Sequence, residues 1–212
     1  MTFQQLTEAI EKLDEREVQR LLNEFIASAP TEEDAQQVVK ACQLGMLKVG
    51  ELFESGEYFV GDLIFSGELL EQALETLKPV MGAEKDLKIG TIVLGTVKGD
   101  LHDIGKNIFK SMAVAGGFEV HDLGIDQEPS AFVEKIREVN AEIVGMSGVL
   151  TLSLEAMKEV VDLLVREGIR GDVKVIIGGN PVTEKACEYI GADAFTVNAA
   201  EGIKFCRKWV DA

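Results

Sequence analysis

The sequence predicts an α/β protein, with a small N-terminal helical bundle (a cap) and a C-terminal doubly wound parallel sheet of five strands. Residues 1–85 show only helical spacing of apolar residues, whereas residues 88–212 alternate strand-like runs with helical segments. The polar segment KPVMGAEKD, which contains Pro79 and Gly82, separates the two patterns. We therefore expect two domains, residues 1–85 and 88–212, with residues 79–86 as a hinge between them.

The N-terminal half predicts about four helices joined by short loops. One begins after Asp14, which has Glu17 three residues later in the spacing of a capping box. Another begins near Thr31, and the dipeptide Lys78-Pro79 is expected to end the last helix. Apolar residues spaced by three and four along these segments indicate a small bundle.

The C-terminal half predicts about five strands joined by right-handed helical crossovers. The strand-like runs are KIGTIVL, FEVHDL, EIVGMS, VKVIIGG and AFTV. In such sheets ligands bind beyond the carboxyl ends of the strands. Three segments should therefore meet at one edge of the sheet: GDLHDIGKN (99–107), SGVLTLS (147–153) and IGGNPVT (177–183).

The composition argues against several kinds of partner and site. The formal net charge of −16 disfavours binding to nucleic acid or to anionic membranes. No apolar run approaches the roughly 20 residues of a membrane span, and the N-terminus lacks a signal-peptide pattern, so we expect a cytoplasmic protein. The three cysteines form no CxxC pair, which disfavours a disulfide framework or a zinc site, and Cys42 is expected to be a buried free thiol.

Asp100 and His102 are the most informative residues, because they lie two positions apart on a predicted loop after the first strand. Their side chains should lean to one side. An aspartate that binds one ring nitrogen leaves the other nitrogen with a free lone pair, as in metal-ligating histidines. Gly99 and Gly105 remove bulk on either side, as the approach of a large flat ligand requires.

Three common chemistries fit the motif poorly. A hydrolase could use Ser147 or Ser153 as its nucleophile, but no G-x-S-x-G elbow is present. A dinucleotide site needs G-x-G-x-x-G, and GTVKGDLHDIG has a wider spacing. A phosphorylated receiver domain needs an aspartate where Ser147 ends the third strand. A single histidine backed by one carboxylate suits a metal that a macrocycle already chelates.

The segment DLHDIG resembles the D-x-H-x-x-G signature of cobalamin-binding domains, whose sheet is flavodoxin-like and Rossmann-like. Ser147-Gly148-Val149 resembles their S-x-L segment with valine in place of leucine, and Gly178-Gly179 resembles their paired glycines. Residues 45–74 resemble the helical cap that precedes this domain in methionine synthase and in corrinoid proteins of anaerobic methyltransferase systems. The resemblance covers nearly the whole chain.

The resemblance implies a role for each matching residue. His102 would be the lower axial ligand of cobalt, with the cofactor bound His-on and base-off. Asp100 would hydrogen-bond His102, and Ser153 would complete the relay. Phe53 and Val60 would cover the upper face of the corrin, although the core of the bundle also explains Phe53, and the family more often has a larger residue at position 60. The remaining residues expected to contact the cofactor or its displaced nucleotide tail are Gly99, Asp103, Gly105, Ser147, Val149, Thr151, Gly178, Gly179, Asn198 and Ala199.

The implied function is that of a carrier without catalytic activity of its own. A substrate-specific methyltransferase would load the cobalt with a methyl group from a methylamine, methanol, a betaine or a methoxy-aromatic. A second methyltransferase would pass the methyl group to a pterin or thiol acceptor. The resemblance also implies a reductive activator protein as a partner, and a cap that swings away about the hinge.

Three alternatives stay open at this stage. The first is the small subunit of an adenosylcobalamin mutase, which shares D-x-H-x-x-G but typically lacks a cap. The second is a cobalamin-dependent light-sensing regulator, which has a bundle that contains a tryptophan and also needs a DNA-binding module. Here the single tryptophan, Trp209, lies near the C-terminus. The third is a flavodoxin-like domain without a cofactor.

Overall fold

The computed structural model describes residues 2–81 and 88–210. The chain divides into two compact units, one of residues 2–81 with 114–117 and one of residues 88–113 with 118–210. Most of the expected hinge lies outside the described residues, because these leave out residues 82–87. No helix in the described ranges has the length and apolar character that crossing a bilayer requires.

The helical unit contains four helices among its described residues. Asp14 caps the second helix by accepting the Glu17 N–H at 3.0 Å, and Thr31 caps the third with a reciprocal capping box. The helices are α1 (Phe3–Glu11), α2 (Glu15–Ala27), α3 (Glu32–Ser55) and α4 (Val60–Met81).

The predicted end of α4 at Lys78-Pro79 is wrong, because the helix continues through Pro79 to Met81. Proline removes its own N–H donor, and its ring crowds the carbonyl four residues earlier. Pro79 lies in the last turn, where that loss affects a single hydrogen bond of the helix.

Close packing of α1 against α3 holds the helical unit together. A Cβ atom on Gly45 would lie 2.8 Å from Cβ of Ile10, so glycine permits the close approach of the two helices. The Thr7 hydroxyl donates to the Ala41 carbonyl at 3.0 Å across the same contact. Cys42 is a buried free thiol in this core, as predicted, and burial raises its pKa to about 12.

The second unit is a parallel five-stranded sheet in the order β2-β1-β3-β4-β5, and the neighbouring strands all pair in parallel. The predicted fold class is therefore confirmed. The strands are β1 (Thr91–Thr96), β2 (Glu119–Asp122), β3 (Ile143–Ser147), β4 (Lys174–Gly178) and β5 (Ala194–Thr196). The helices are α5 (Ile104–Ala115), α6 (Pro129–Val139), α7 (Ser153–Arg166), α8 (Glu184–Ile190) and α9 (Ala199–Val210).

Two boundaries near the motif differ from the prediction. Strand β1 begins at Thr91, three residues later than the KIGTIVL run suggests, and extends to Thr96. Helix α5 begins at Ile104, within the DLHDIG segment. The Asn107 N–H donates to the Asp103 carbonyl at 2.8 Å, and its side chain donates to the Asp103 carboxylate at 3.0 Å. These contacts form the first helical turn out of residues that the sequence pattern assigns to a loop.

The strands align at their carboxyl ends. Thr96, Ser147, Gly178 and Thr196 are register partners from β1 to β5, so they form one row across the sheet. The strand order reverses between β1 and β3, which is the switch point where such sheets bind ligands. The segments after β1, β3 and β4 therefore begin at a common edge, which we call the carboxyl rim.

Candidate functional site

A tight turn at the end of β1 delivers Asp100 to the carboxyl rim. The Asp100 N–H donates to the Val97 carbonyl at 3.0 Å and closes the turn. Gly99 is the third residue of the turn and has φ of +80°, which favours glycine. A Cβ atom on Gly99 would meet nothing within 4 Å, so the backbone conformation explains this glycine.

Asp100 is fully buried and joins three segments of the rim. Its Oδ1 accepts the His102 backbone N–H at 2.9 Å, an Asx turn, and lies 2.9 Å from His102 Nδ1. Its Oδ2 accepts the Ser153 hydroxyl at 2.6 Å. The same oxygen accepts the backbone N–H groups of Val149 at 2.6 Å and Leu150 at 3.1 Å. Ser153 is the first residue of α7, so the carboxylate links the β1 turn to the β3–α7 segment.

These contacts determine the protonation of the pair. Burial alone would raise the pKa of Asp100, but the hydrogen bonds from Ser153 and from backbone N–H groups outweigh it and hold the pKa well below its usual range. An ionised carboxylate only accepts hydrogen bonds, so His102 Nδ1 must carry the proton that it shares with Oδ1. In the neutral ring, Nε2 then keeps a free lone pair. The His102 side chain is 55% exposed, so this nitrogen is accessible from outside.

Exposed apolar side chains follow the same strand ends. Such residues are ordinary when scattered, but several on the loops of one sheet edge are typical of a binding surface. They are Leu101, Ile104, Val149, Leu150, Leu152 and Val197.

Two glycines of the rim are required by the packing of the loops. Gly179 has φ of +128°, and a Cβ atom there would lie 1.9 Å from the Gly148 carbonyl oxygen. A Cβ atom on Gly148 would lie 2.4 Å from Cβ of Ser153. Gly148 also donates its N–H to the Gly178 carbonyl at 3.0 Å, whereas a Cβ atom on Gly178 would make only an ordinary 3.5 Å contact. The β3 and β4 loops can therefore meet only as glycine backbone.

Gly105 is a different kind of glycine. It is exposed at the second position of α5, with no positive φ, and a Cβ atom there would meet nothing within 4 Å. The protein itself gives no packing reason for a glycine at this position. Its effect is to leave open space three residues beyond His102.

The other residues predicted on the sheet unit have local roles in the structure. Asp103 binds Asn107 within the first turn of α5. Thr151 is exposed on the β3–α7 segment, and Ser147 lies buried in the row of strand ends. The side-chain oxygen of Asn198 accepts the Ala200 N–H at 2.9 Å and caps α9, whose first residue is Ala199.

Phe53 and Val60 belong to the helical unit. Phe53 is half-buried near the end of α3, and Val60 is the exposed first residue of α4. Phe59 and Ile64 beside them are also exposed, so this end of the helical unit has an apolar surface. The expected position of Phe53 and Val60 over the cofactor stays a prediction.

Sequence reasoning missed two donors of the site, the backbone N–H groups of Val149 and Leu150. Backbone amides carry no residue-type signature, so motif reading does not detect them. Gly148 is the available signal, because a glycine directly after a buried strand often marks a close approach of two backbones.

Comparison with known proteins identifies the family. Residues 90–203 match a B12 binding domain, and residues 2–78 match a second model that is also described as a B12 binding domain. The chain belongs to the B12-binding protein family. The resemblance inferred from DLHDIG is thereby confirmed, and the chain is a corrinoid-binding protein.

Three relatives show how far the similarity extends. Dimethylamine corrinoid protein 1 of Methanosarcina acetivorans is 41% identical over 180 residues, which cover 84% of each chain. The crystal structure of a cobalamin-binding protein from Desulfitobacterium hafniense has a TM-score of 0.83 and 53% identity, over 99% of this chain and 98% of that one. The methanol:cobalamin methyltransferase complex of Methanosarcina barkeri has a TM-score of 0.85 and 25% identity, over 99% of this chain and 80% of that one.

The carboxyl rim fits a corrinoid on structural grounds. His102 offers a half-exposed imidazole whose Nδ1 is engaged by Asp100, the kind of nitrogen donor that suits a metal already held by a macrocycle. The exposed apolar residues of the rim suit contact with a large, flat ring system. The open space at Gly105 is the kind of space that a bulky ligand would fill.

Proposed function

We propose that this chain is a methyl-carrying corrinoid protein in which His102 Nε2 is the lower axial ligand of cobalt, His-on and base-off. The observation that carries the proposal is the Asp100–His102 pair, in which an ionised buried carboxylate fixes the proton on Nδ1. This arrangement is the usual support of a metal-ligating histidine.

When bound, the corrinoid cobalt would supply the chemistry, as a nucleophile that accepts a methyl group and then as the leaving group when the methyl group is passed on. Asp100 holds the imidazole plane through Nδ1 and stabilises positive charge on the ring, whether cobalt or a proton occupies Nε2. Ser153 donates to the other carboxylate oxygen and keeps Asp100 ionised and oriented. These residues adjust how strongly the ring favours the coordinated state.

The channel for the displaced nucleotide tail would be lined by Gly105, Gly178 and Gly179. Gly105 leaves open space beside the axial ligand. Gly179 lets the β3 and β4 loops meet without side chains between them. Ser147 and Thr151 would offer hydroxyl groups to the tail, and Val149 an apolar contact.

The relatives support a place between two methyltransferases. One similar protein is named a dimethylamine corrinoid protein, and a similar chain occurs in a methanol:cobalamin methyltransferase complex. A substrate-specific methyltransferase would load this chain, and a methylamine is the donor class that the 41% identical relative favours. A second methyltransferase would carry the group to a pterin or thiol acceptor, and a reductive activator would restore oxidised cobalt. These names favour the carrier over a mutase subunit or a regulator.

The His102→Ala variant, compared with His121→Ala, tests this proposal. His121 lies on β2, with Nε2 3.3 Å from Glu119, and is the matched control. We expect wild type and His121→Ala to bind methylcobalamin with the visible spectrum of an imidazole-coordinated cobalt. His102→Ala should lose that spectrum, and added imidazole should restore it. An unchanged spectrum in His102→Ala would refute the ligand assignment.

Carrier function is tested separately by anaerobic methyl transfer. Reduced wild-type protein is mixed with a dimethylamine- or methanol-specific methyltransferase and its donor, and methylation of cobalt is followed by absorbance. We expect methylation with the dimethylamine pair. Failure of that pair, whether or not the methanol pair succeeds, would contradict the proposed donor class but not corrinoid binding.

A further inference from the structure

The loop between β2 and α6 contacts the turn that carries Asp100. We call residues 123–128 the brace loop. The Thr96 N–H donates to the Gly124 carbonyl at 3.0 Å, and the Gln127 N–H donates to the Thr96 carbonyl at 3.0 Å. These two bonds bring the brace loop alongside the end of β1, one residue before the turn begins.

Asp126 makes the central contacts of the brace loop. Its Oδ1 accepts the Gly99 N–H at 2.7 Å. Its own N–H is shared between the Thr96 hydroxyl at 2.8 Å and the Asp100 carbonyl at 3.2 Å. The Thr96 hydroxyl, fully buried, in turn donates to the Asp100 carbonyl at 2.6 Å. Asp126 therefore holds the main chain on both sides of the Gly99–Asp100 peptide.

The backbone conformation of Asp126 also indicates that its contacts hold it in place. Its φ is +56°, in the left-handed region that residues other than glycine rarely occupy. Aspartate and asparagine tolerate that region better than other side chains. Such a conformation persists only where surrounding contacts determine it, and here those contacts converge on the Asp100 turn.

Asp100 is thus held from two directions. Strand β1 lies between β2 and β3. The β3–α7 segment binds the Asp100 side chain through backbone N–H groups and the Ser153 hydroxyl. The brace loop, which follows β2, binds the Asp100 carbonyl and the N–H of the preceding Gly99.

We propose that Asp126 is a positioning residue for the axial ligand, acting through the Gly99–Asp100 peptide to fix the place of His102. The inference rests on the proposed function, because it assigns Asp126 a role only if His102 coordinates cobalt. Asp126 itself touches neither the imidazole nor the reacting atoms. Its effect is on the fraction of bound corrinoid that is His-coordinated.

Three variants separate the hydrogen bond from the backbone strain. Asp126→Gly keeps the positive φ and removes the acceptor, whereas Asp126→Asn keeps both a side-chain oxygen and tolerance of the left-handed region. Asn140→Gly is the matched control, because Asn140 has φ of +50° at the other end of α6. Glycine adopts a φ of +56° without strain, so Asp126→Gly is expected to fold.

The first readout uses the protein without cofactor. Amide hydrogen exchange at Gly99, measured by NMR, should become about 3- to 10-fold faster in Asp126→Gly, as expected for the loss of one partly solvated hydrogen bond. Asp126→Asn should stay near wild type, and Asn140→Gly should not change exchange at Gly99. Unchanged exchange at Gly99 in Asp126→Gly would show that the Asp126 carboxylate does not hold the Gly99 N–H.

The second readout is the visible spectrum of bound methylcobalamin at fixed pH. The ratio of His-coordinated to uncoordinated cofactor should fall about 3- to 10-fold in Asp126→Gly and recover in Asp126→Asn. Faster exchange at Gly99 with an unchanged ratio would overturn the positioning role. If wild type shows no His coordination, the proposed function fails, and the exchange measurement still decides whether the brace exists.

Discussion

Two aspartates lie at the carboxyl ends of neighbouring strands and are held by different kinds of donor. Asp100 follows β1 and accepts from backbone N–H groups, the Ser153 hydroxyl and the His102 ring. Asp122 ends β2, and both of its carboxylate oxygens lie 2.6 Å from the buried Nζ of Lys106. Lys110 lies 3.4 Å from the same carboxylate.

The two carboxylates reach a low pKa by different routes. Burial raises the pKa of each, but the surrounding donors and charges outweigh burial in both. At Asp122 the hydrogen bond from Lys106 comes next, and its charge lowers the pKa further. At Asp100 the donors are Ser153 and backbone amides, which leave the negative charge uncompensated. Because Lys106 neutralises Asp122, that pair links β2 to α5. Because only neutral donors hold Asp100, its negative charge can act on His102.

The Lys106→Met variant should have the largest effect. It tests whether the Lys106–Asp122 pair stabilises the fold. It leaves Asp122 with only the more distant Lys110 as a cation, and the loss of a hydrogen bond between charged groups destabilises a protein by about 2 kcal/mol. Urea unfolding of the apo protein measures this loss. The double variant Lys106→Met/Asp122→Leu should recover most of it, and His coordination in the folded fraction should not change. A loss below about 1 kcal/mol would contradict the structural role.

The Asp100→Asn variant tests whether the Asp100 carboxylate acts on His102. The amide cannot act as an ionised acceptor for His102 Nδ1, so His coordination of bound corrinoid should weaken by about 10-fold or more. The visible spectrum of the methylcobalamin complex measures this. Asp122→Asn is the matched control, because it should change the unfolding free energy without changing the spectrum. Equal spectral effects in both variants would show that the two carboxylates do not have separate roles.

The Ser153→Ala variant removes one neutral donor of Asp100 and tests how much that donor contributes to His coordination. We expect a loss of about 1 kcal/mol in the unfolding free energy and a modest weakening of His coordination. Ser66→Ala removes a similarly buried hydroxyl, which donates to the Leu63 carbonyl at 2.8 Å in α4. This control should lose stability alone. A spectrum unaffected by Ser153→Ala would remove Ser153 from the relay.

The smallest effect is a dependence on pH that appears only in acid. The folded pKa of Asp122 lies below its unfolded value of about 3.9, so the unfolded chain binds the proton more readily. The stability that the carboxylate contributes is therefore present above about pH 4 and is lost as the pH falls through the folded pKa. The unfolding free energies of wild type and Asp122→Asn should converge on acidification. A constant difference down to pH 3 would contradict this.

The sequence pattern predicted the fold well, because periodicity reports which face of each element is buried. It failed where local contacts override periodicity. Asp103 and Asn107 form the first turn of α5 within the motif, and Pro79 is accommodated in the last turn of α4. The alternation of elements established parallel pairing, but it does not by itself give the neighbours of β1.

The site was predictable only in part for the same reason. Asp100 and His102 are two residues apart, so local geometry connects them. Ser153 came from resemblance, because its contact with Asp100 spans 53 positions. Asp126 contacts Gly99 only because β2 pairs with β1, and no spacing along the chain indicates that contact.

The most direct test of the central claim uses nitrogen-15 histidine. The protein is labelled at histidine, loaded with cobalamin and reduced to cobalt(II), and its electron paramagnetic resonance spectrum is recorded. If His102 Nε2 is the axial ligand, the nitrogen splitting changes from the triplet of nitrogen-14 to the doublet of nitrogen-15, and His121→Gln keeps that doublet. A triplet that persists under full histidine labelling would show that the cofactor keeps its own base, and would contradict the account.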